Sequence, residues 1–158
     1  MFESVRVGAR GNAQVLVVGQ FQGESLDRAT ARLDPDGSMK EAAALAEATG
    51  ELGSIAEGRC WDADHERVII VGLGDKEGFD RSSGPERLRT AMGAVGRRLA
   101  RIKAKSAQIE LGGVLNTGRS KADKVEAAVA GRAVGEAFGL LSWAYDDLRG
   151  SATTRSAR

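Results

Sequence analysis

Apolar residues along this chain fall into two kinds of pattern. The first is short and continuous: Val15-Leu16-Val17-Val18 lies between Gln14 and Gly19, and Val68-Ile69-Ile70-Val71 lies between Arg67 and Gly72. β-branched runs of this length, bounded by glycine, predict strands, and an unbroken apolar run predicts a strand covered on both faces. Residues 107–111, Ala-Gln-Ile-Glu-Leu, predict another strand, and residues 4–7 a further one before the first run. Residues 52–61 predict an extended, partly exposed strand, with a polar turn at Asp62-Ala63-Asp64-His65 leading into the strand at Arg67.

The second pattern is helical. Leu88, Met92, Val95, Leu99 and Ile102 recur at alternating steps of four and three, which draws one apolar stripe along a helix. Pro85 falls near its first turn, where a missing N–H does no harm, and Ser82 or Ser83 is placed to cap it. Residues 26–33 have helical spacing and stop at the turn chemistry of Asp34-Pro35-Asp36-Gly37. The Ala-rich residues 39–49 predict a helix capped by Ser38 and terminated by Gly50, and residues 121–141 predict a long one. Residues 112–118 predict a loop. Strands alternating with helices argue for an α/β sandwich with a largely parallel sheet. The tail from Gly150 to Arg158 has no apolar anchor and is expected to be a linker.

Composition narrows the class. At 158 residues the chain fits one domain, and with 42% hydrophobic and 28% charged residues it belongs with globular proteins rather than disordered or membrane chains. Aromatics are only 4% against 21 glycines, so the core must come from Val, Leu, Ile and Ala on closely approaching elements. The single cysteine, Cys60, forbids an internal disulfide and a multi-thiolate zinc site. No basic stretch runs into an apolar leader and no apolar segment nears the length of a membrane span, so a cytoplasmic protein without membrane contact is expected.

The near-neutral total hides an asymmetry. Residues 1–79 hold 8 basic against 14 acidic residues, net −6, while residues 80–158 hold 15 against 8, net +7. Much of the positive charge rides on one helix: Arg87, Arg89, Arg97, Arg98 and Arg101, followed by Lys103 and Lys105. Arg97, Arg98 and Arg101 avoid the apolar stripe, so all three are expected to be substantially exposed, as candidates for nucleic-acid or subunit contact. No aromatic is interleaved with them, and a solvated helix face is the plainer account.

Other candidate chemistry is thin. Gly72-Leu73-Gly74 follows a strong strand, but Gly78 comes one residue too late for a dinucleotide fingerprint, so a tight turn with close backbone packing is the better explanation. His65 is the only histidine, and with Asp62, Asp64 and Glu66 it sits on a polar turn where alternate residues point opposite ways. That arrangement does not argue for a metal, and neither a triad nor a Cys-His pair can be assembled. Ser120 before Lys121 carries no nucleophile signature. From these residues no catalytic, cofactor-binding or metal-binding position is assigned.

Four phrases, in order, resemble the N-terminal domain of the leucine aminopeptidases. Val15-Leu16-Val17-Val18-Gly19-Gln20-Phe21-Gln22-Gly23, with Leu26-Asp27 after it, is similar to the family's opening strand and turn. Arg67-Val68-Ile69-Ile70-Val71-Gly72-Leu73-Gly74-Asp75-Lys76 resembles its most recognisable N-terminal phrase. The helix from Leu88 through Ala91, Ala94 and Leu99 to Ala104-Lys105-Ser106 then enters a strand, as in the family. Trp143-Ala144-Tyr145-Asp146-Asp147-Leu148-Arg149 resembles the pattern that closes the domain, with Trp143 and Leu148 where tyrosine is usual. The likeness runs over residues 14–149 and is poor at 52–61.

The resemblance implies a three-layer, macro-domain-like α/β/α sandwich with a mixed, mostly parallel sheet over residues 1–149, followed by a linker at 150–158 toward a C-terminal catalytic domain. It also implies roles in hexamer assembly, in shaping access to the active site and, in some bacterial members, in DNA binding. The family's metal ligands and bicarbonate-holding arginine belong to the C-terminal domain, whose Asn-Thr-Asp-Ala-Glu-Gly-Arg phrase has only a superficial echo here in Asn116-Thr117-Gly118-Arg119. Mn or Zn is therefore expected in that domain and no activity in this chain alone, although the parent protein would be a metallo-aminopeptidase. The alternative is a free-standing macro-like module that holds a nucleotide or nucleic acid, and the reading frame beyond Arg158 distinguishes the two.

Overall fold

The computed structural model describes residues 13–34, 36–61, 64–115 and 124–142. The strand expected at residues 4–7, Asp62, the loop at Asn116 to Arg119 with Ser120 and Lys121, the closing phrase from Trp143 to Arg149 and the linker lie outside the described residues.

Alternation decides which side chains meet in the two central strands. In β1 (Val15–Gln20) and β3 (Arg67–Gly72), odd-numbered Val15, Val17, Ile69 and Val71 face one way, and even-numbered Leu16, Val18, Val68 and Ile70 face the other. None of the eight is more than 3% exposed, so both faces are covered, as an unbroken apolar run requires. Each such side chain contributes about 1.5–3 kcal/mol of burial, and together they make β1 and β3 the centre of the fold. The strands pair in parallel, Val15 opposite Arg67 through Gln20 opposite Gly72. β4 (Ala107–Glu110) adds in parallel to the other side of β1, and β2 (Ile55–Arg59) adds antiparallel to β3, giving the order β2-β3-β1-β4. The sheet is thus mixed and mostly parallel, as expected.

One face of this sheet receives α2 (Ser38–Ala43), whose Met39 and Ala42 pack with Leu16, Val18, Ala56, Val68 and Ile70. The opposite face receives α3 (Gly84–Arg101), which sets Leu88, Met92, Val95 and Leu99 on Val15, Val17, Ile69 and Val71. Those four stripe residues are at most 3% exposed, and Ile102 is partly buried just past the helix end. Behind α3 lies α5 (Ala127–Ser142), which presents Ala130, Ala133, Val134, Ala137 and Phe138. Gly96 makes that approach close, because a Cβ there would stand 3.2 Å from the Phe138 ring and overlap Leu141. Arg89 on α3 bonds Glu136 on α5 at 2.7 Å, and Arg132 with Arg89 holds the Glu136 carboxyl below its usual range. Two short turns of helix, α1 (Arg28–Ala31) and α4 (Gly112–Leu115), complete the described elements.

Three local expectations are corrected. The helix expected over residues 39–49 ends at Ala43 and decays into single turns, Leu45 N–H to the Ala42 carbonyl and Ala48 N–H to that of Leu45. Met39 and Ala42 are buried against the sheet, Ala43 and Ala48 pack on that cluster only in part, Leu45 is 46% exposed, and alanine propensity alone does not propagate so short a helix. Gly50 consequently caps nothing. Second, aspartates rather than serines receive the amides at the start of α2 and in the turn before α3. The Asp34 carboxylate accepts from Met39 N–H and Lys40 N–H at 2.9 Å each, while Ser38 turns its hydroxyl to the Cys60 thiol at 3.2 Å. Before α3, the Asp80 carboxylate accepts from Ser82 and Ser83 N–H at 2.8 Å each, and these backbone bonds keep it below the ordinary carboxylate range. Third, the helix expected from residue 121 begins at Ala127, and the loop expected at 112–118 contains the turn α4, which buries Val114.

Candidate functional site

The glycine segment after β3 is built for packing, with its amides already engaged. Gly72 N–H donates to the Ser54 carbonyl, Leu73 N–H to that of Gln20 and Gly74 N–H to that of Gly50, each at 2.9 Å. Gly74 takes φ +78°, a left-handed turn, and Gly72 lies so near the Glu51 carbonyl that a Cβ would sit 2.7 Å from its carbon. Three donors spent on the protein leave no nest for a phosphate in this segment, and the turn-and-packing expectation is the one observed.

The lone histidine is also occupied by backbone. His65 Nδ1 lies 2.6 Å from the Ala13 carbonyl, and the neighbouring Glu66 carboxylate accepts from the Gln14 side-chain amide at 2.9 Å. These contacts tie the turn before β3 to the start of β1. Cys60 is half-buried beside Ser38, and burial pushes its thiol above the ordinary value, which disfavours the thiolate. Among the described residues no three His, Cys, Asp or Glu side chains stand close enough to hold a metal ion. No helix among them is long and apolar enough to cross a membrane.

Arg97, Arg98 and Arg101 of α3 do come together, on the wall of a cleft of about 590 Å³ that runs beside β2, an edge strand among the described residues. Ala94, Arg97, Arg98 and Arg101 form the α3 wall, and Leu45 with Glu47, from the segment after α2, forms the other. Ile55, Ala56 and Glu57 of β2 lie between them. Arg97 and Arg101 are exposed, as expected. Arg98 is not: its side chain is 34% exposed and paired with Glu57, with Nε 2.7 Å from Oε2. The other Glu57 oxygen takes Arg67 Nη1 at 2.6 Å, so this 15%-exposed carboxylate ties α3 to both strands of the β2–β3 hairpin.

Sequence reasoning missed Glu57, which reaches α3 only because the antiparallel register turns odd-numbered β2 side chains to that face. Arg98→Gln is expected to cost about 1–3 kcal/mol, since a mostly buried carboxylate loses one of two cationic partners. Denaturant unfolding measures it, with Arg97→Gln as the near-neutral control. Removing all three arginines together is therefore expected to perturb the fold as well as the surface charge, because Arg98 is not the exposed residue expected from the sequence.

The comparisons with known proteins bear on the whole domain. The family model described as the N-terminal domain of the cytosol aminopeptidase family matches residues 17–151. No curated protein matches the chain significantly. Among solved structures, the bottromycin maturation enzyme BotP in complex with Mn is similar, with TM-score 0.54 and 23% identity over 87% of this chain and 24% of BotP. A second BotP structure gives TM-score 0.53 and 21% identity over 88% of this chain and 25% of that one. At these identities the likeness is one of fold, and the chain spans about a quarter of BotP's length. The family match, by contrast, takes in most of the chain, from β1 through α5. The chain belongs to the cytosol aminopeptidase family, as an N-terminal domain of that family.

Proposed function

We propose that this chain is the non-catalytic N-terminal domain of a leucyl aminopeptidase, serving subunit assembly and access to an active site carried by a C-terminal domain. The observation that carries the reading is the family match over residues 17–151. The C-terminal catalytic domain is then its first partner, in a cytoplasmic hexamer. The parent enzyme would release N-terminal amino acids from peptides by two-metal hydrolysis, with Mn or Zn bound in the C-terminal domain. No step of that hydrolysis is assigned to residues of this chain, and the linker at 150–158 would join the two domains.

Extending the reading frame past Arg158 to its natural stop gives the protein needed for the test. Sedimentation of that protein is expected to give a hexamer, and removal of residues 1–149 is expected to lower its order or its stability to dilution. An immediate stop codon, or an assembly unchanged by the deletion, would sink the proposal. An immediate stop would favour a free-standing module instead.

A further inference from the structure

The β2 edge combines three properties that the family reading leaves unused. Backbone direction comes first. The ladder to β3 includes Gly72 N–H bonded to the Ser54 carbonyl and Cys60 N–H bonded to that of Glu66. In an antiparallel pair such hydrogen-bonded positions alternate, so Ala56 and Gly58 also turn their backbone toward β3, and Ile55, Glu57 and Arg59 turn theirs outward. No described residue bonds those outward groups. A row of N–H and C=O groups at strand spacing is a template for one more strand.

Shape and charge come next. The edge opens into the cleft between the α3 wall and the segment after α2, so an added strand would lie between the two helical layers rather than on a bare rim. Leu45 supplies an exposed apolar contact on one wall, and Trp61, 79% exposed with the Arg59 guanidinium 5.5 Å from its ring, stands at the strand's end. Charge selects the occupant. Glu57 is consumed by Arg67 and Arg98, whereas Arg97 and Arg101 have no ion-pair partner among the described residues. Among the described residues that line the cleft, Glu47 is the one other carboxylate besides Glu57.

We propose that β2 is a docking edge for an extended acidic peptide segment, which adds antiparallel or parallel as a fifth strand and directs carboxylates to Arg97 and Arg101. Backbone pairing with Ile55, Glu57 and Arg59 holds the segment, and alternate side chains of the guest face the α3 wall, where the two guanidiniums select carboxylates. The proposal stands on the geometry of this edge and is independent of the aminopeptidase reading.

The test uses residues 1–158 with three labelled probes: an octapeptide of alternating Glu and Val, its Lys and Val counterpart, and a DNA duplex of about 20 base pairs. Anisotropy is expected to give at least about tenfold tighter binding of the acidic peptide than of the basic one, with Arg97→Gln/Arg101→Gln removing most of that preference. Backbone pairing has its own readout. Bound acidic peptide should slow amide exchange at Ile55, Glu57 and Arg59, while Ala56 and Gly58, already in the ladder, change little. Arg59→Pro, which removes an outward N–H and no ladder bond, should weaken binding without unfolding the chain. Equal binding of both peptides, acidic binding without protection at the odd positions, a duplex that outcompetes the peptide, or a self-associated dimer protecting the same amides would each overturn the proposal.

Discussion

Ile70→Asp is expected to unfold the domain. Ile70 is 2% exposed in the middle of β3, packed with Leu16, Val18, Met39, Ala42, Ala56 and Val68 beneath α2. None of these can pair with a carboxylate. An aspartate there must be buried charged, be buried protonated with its hydrogen bonds unmade, or drag α2 off the sheet. Each route costs on the order of 5 kcal/mol, comparable with the whole stability of a typical domain. Circular dichroism is expected to find no cooperative melt at 25 °C. A melt close to wild type would mean that β3 is peripheral.

Gly72→Ala is the second large effect, and it adds a single methyl group. The Cβ would overlap the Glu51 carbonyl oxygen and the Ser54 hydroxyl, and it would stand 2.7 Å from the Glu51 carbonyl carbon. A flexible side chain could yield to it; backbone cannot move alone. Glu51 lies in the turn whose amides and carbonyls engage Gly72 and Gly74, with Gly53 N–H on the Gly72 carbonyl and Gly74 N–H on that of Gly50. Displacing it disturbs the entry to β2 and the exit of β3 together. The expected cost is about 3 kcal/mol, at the upper end of overpacking effects, by denaturant unfolding. Gly135→Ala is the control, because a Cβ there meets nothing within 4 Å. It is expected to be neutral or slightly stabilising through helix propensity in α5. Similar stabilities for Gly72→Ala and wild type would refute the close packing ascribed to the segment after β3.

What could be read from the sequence follows the distance over which each feature is determined. β1, β3 and the α3 stripe are written in contiguous or periodic residues, and burial acts on them wherever they meet a partner. The fold class follows from their alternation. The helix expected over residues 39–49 rests on local propensity, whereas the helix itself ends at Ala43, where full burial against the sheet stops at Ala42 and only Ala43 and Ala48 keep partial contact. The roles of Asp34 at the start of α2 and of Asp80 in the turn before α3 leave no signal at the expected serines for a related reason, since the accepting side chain lies several residues ahead of the helix. At the candidate site, exposure of Arg97 and Arg101 followed from the stripe. Arg98 has the same local pattern, yet its partner Glu57 stands 41 residues away and faces it only through the β2–β3 register. The cleft itself, bounded by α3, β2 and the segment after α2, had no sequence signature.

Turnover by residues 1–158 tests most directly the proposal that catalysis lies outside this N-terminal domain. The chain is purified with Mn or with Zn and offered a leucine chromogenic substrate, with host peptidases excluded. No hydrolysis above the metal-only rate is expected. Activity that follows the protein through every column and persists in the absence of host enzymes would contradict it.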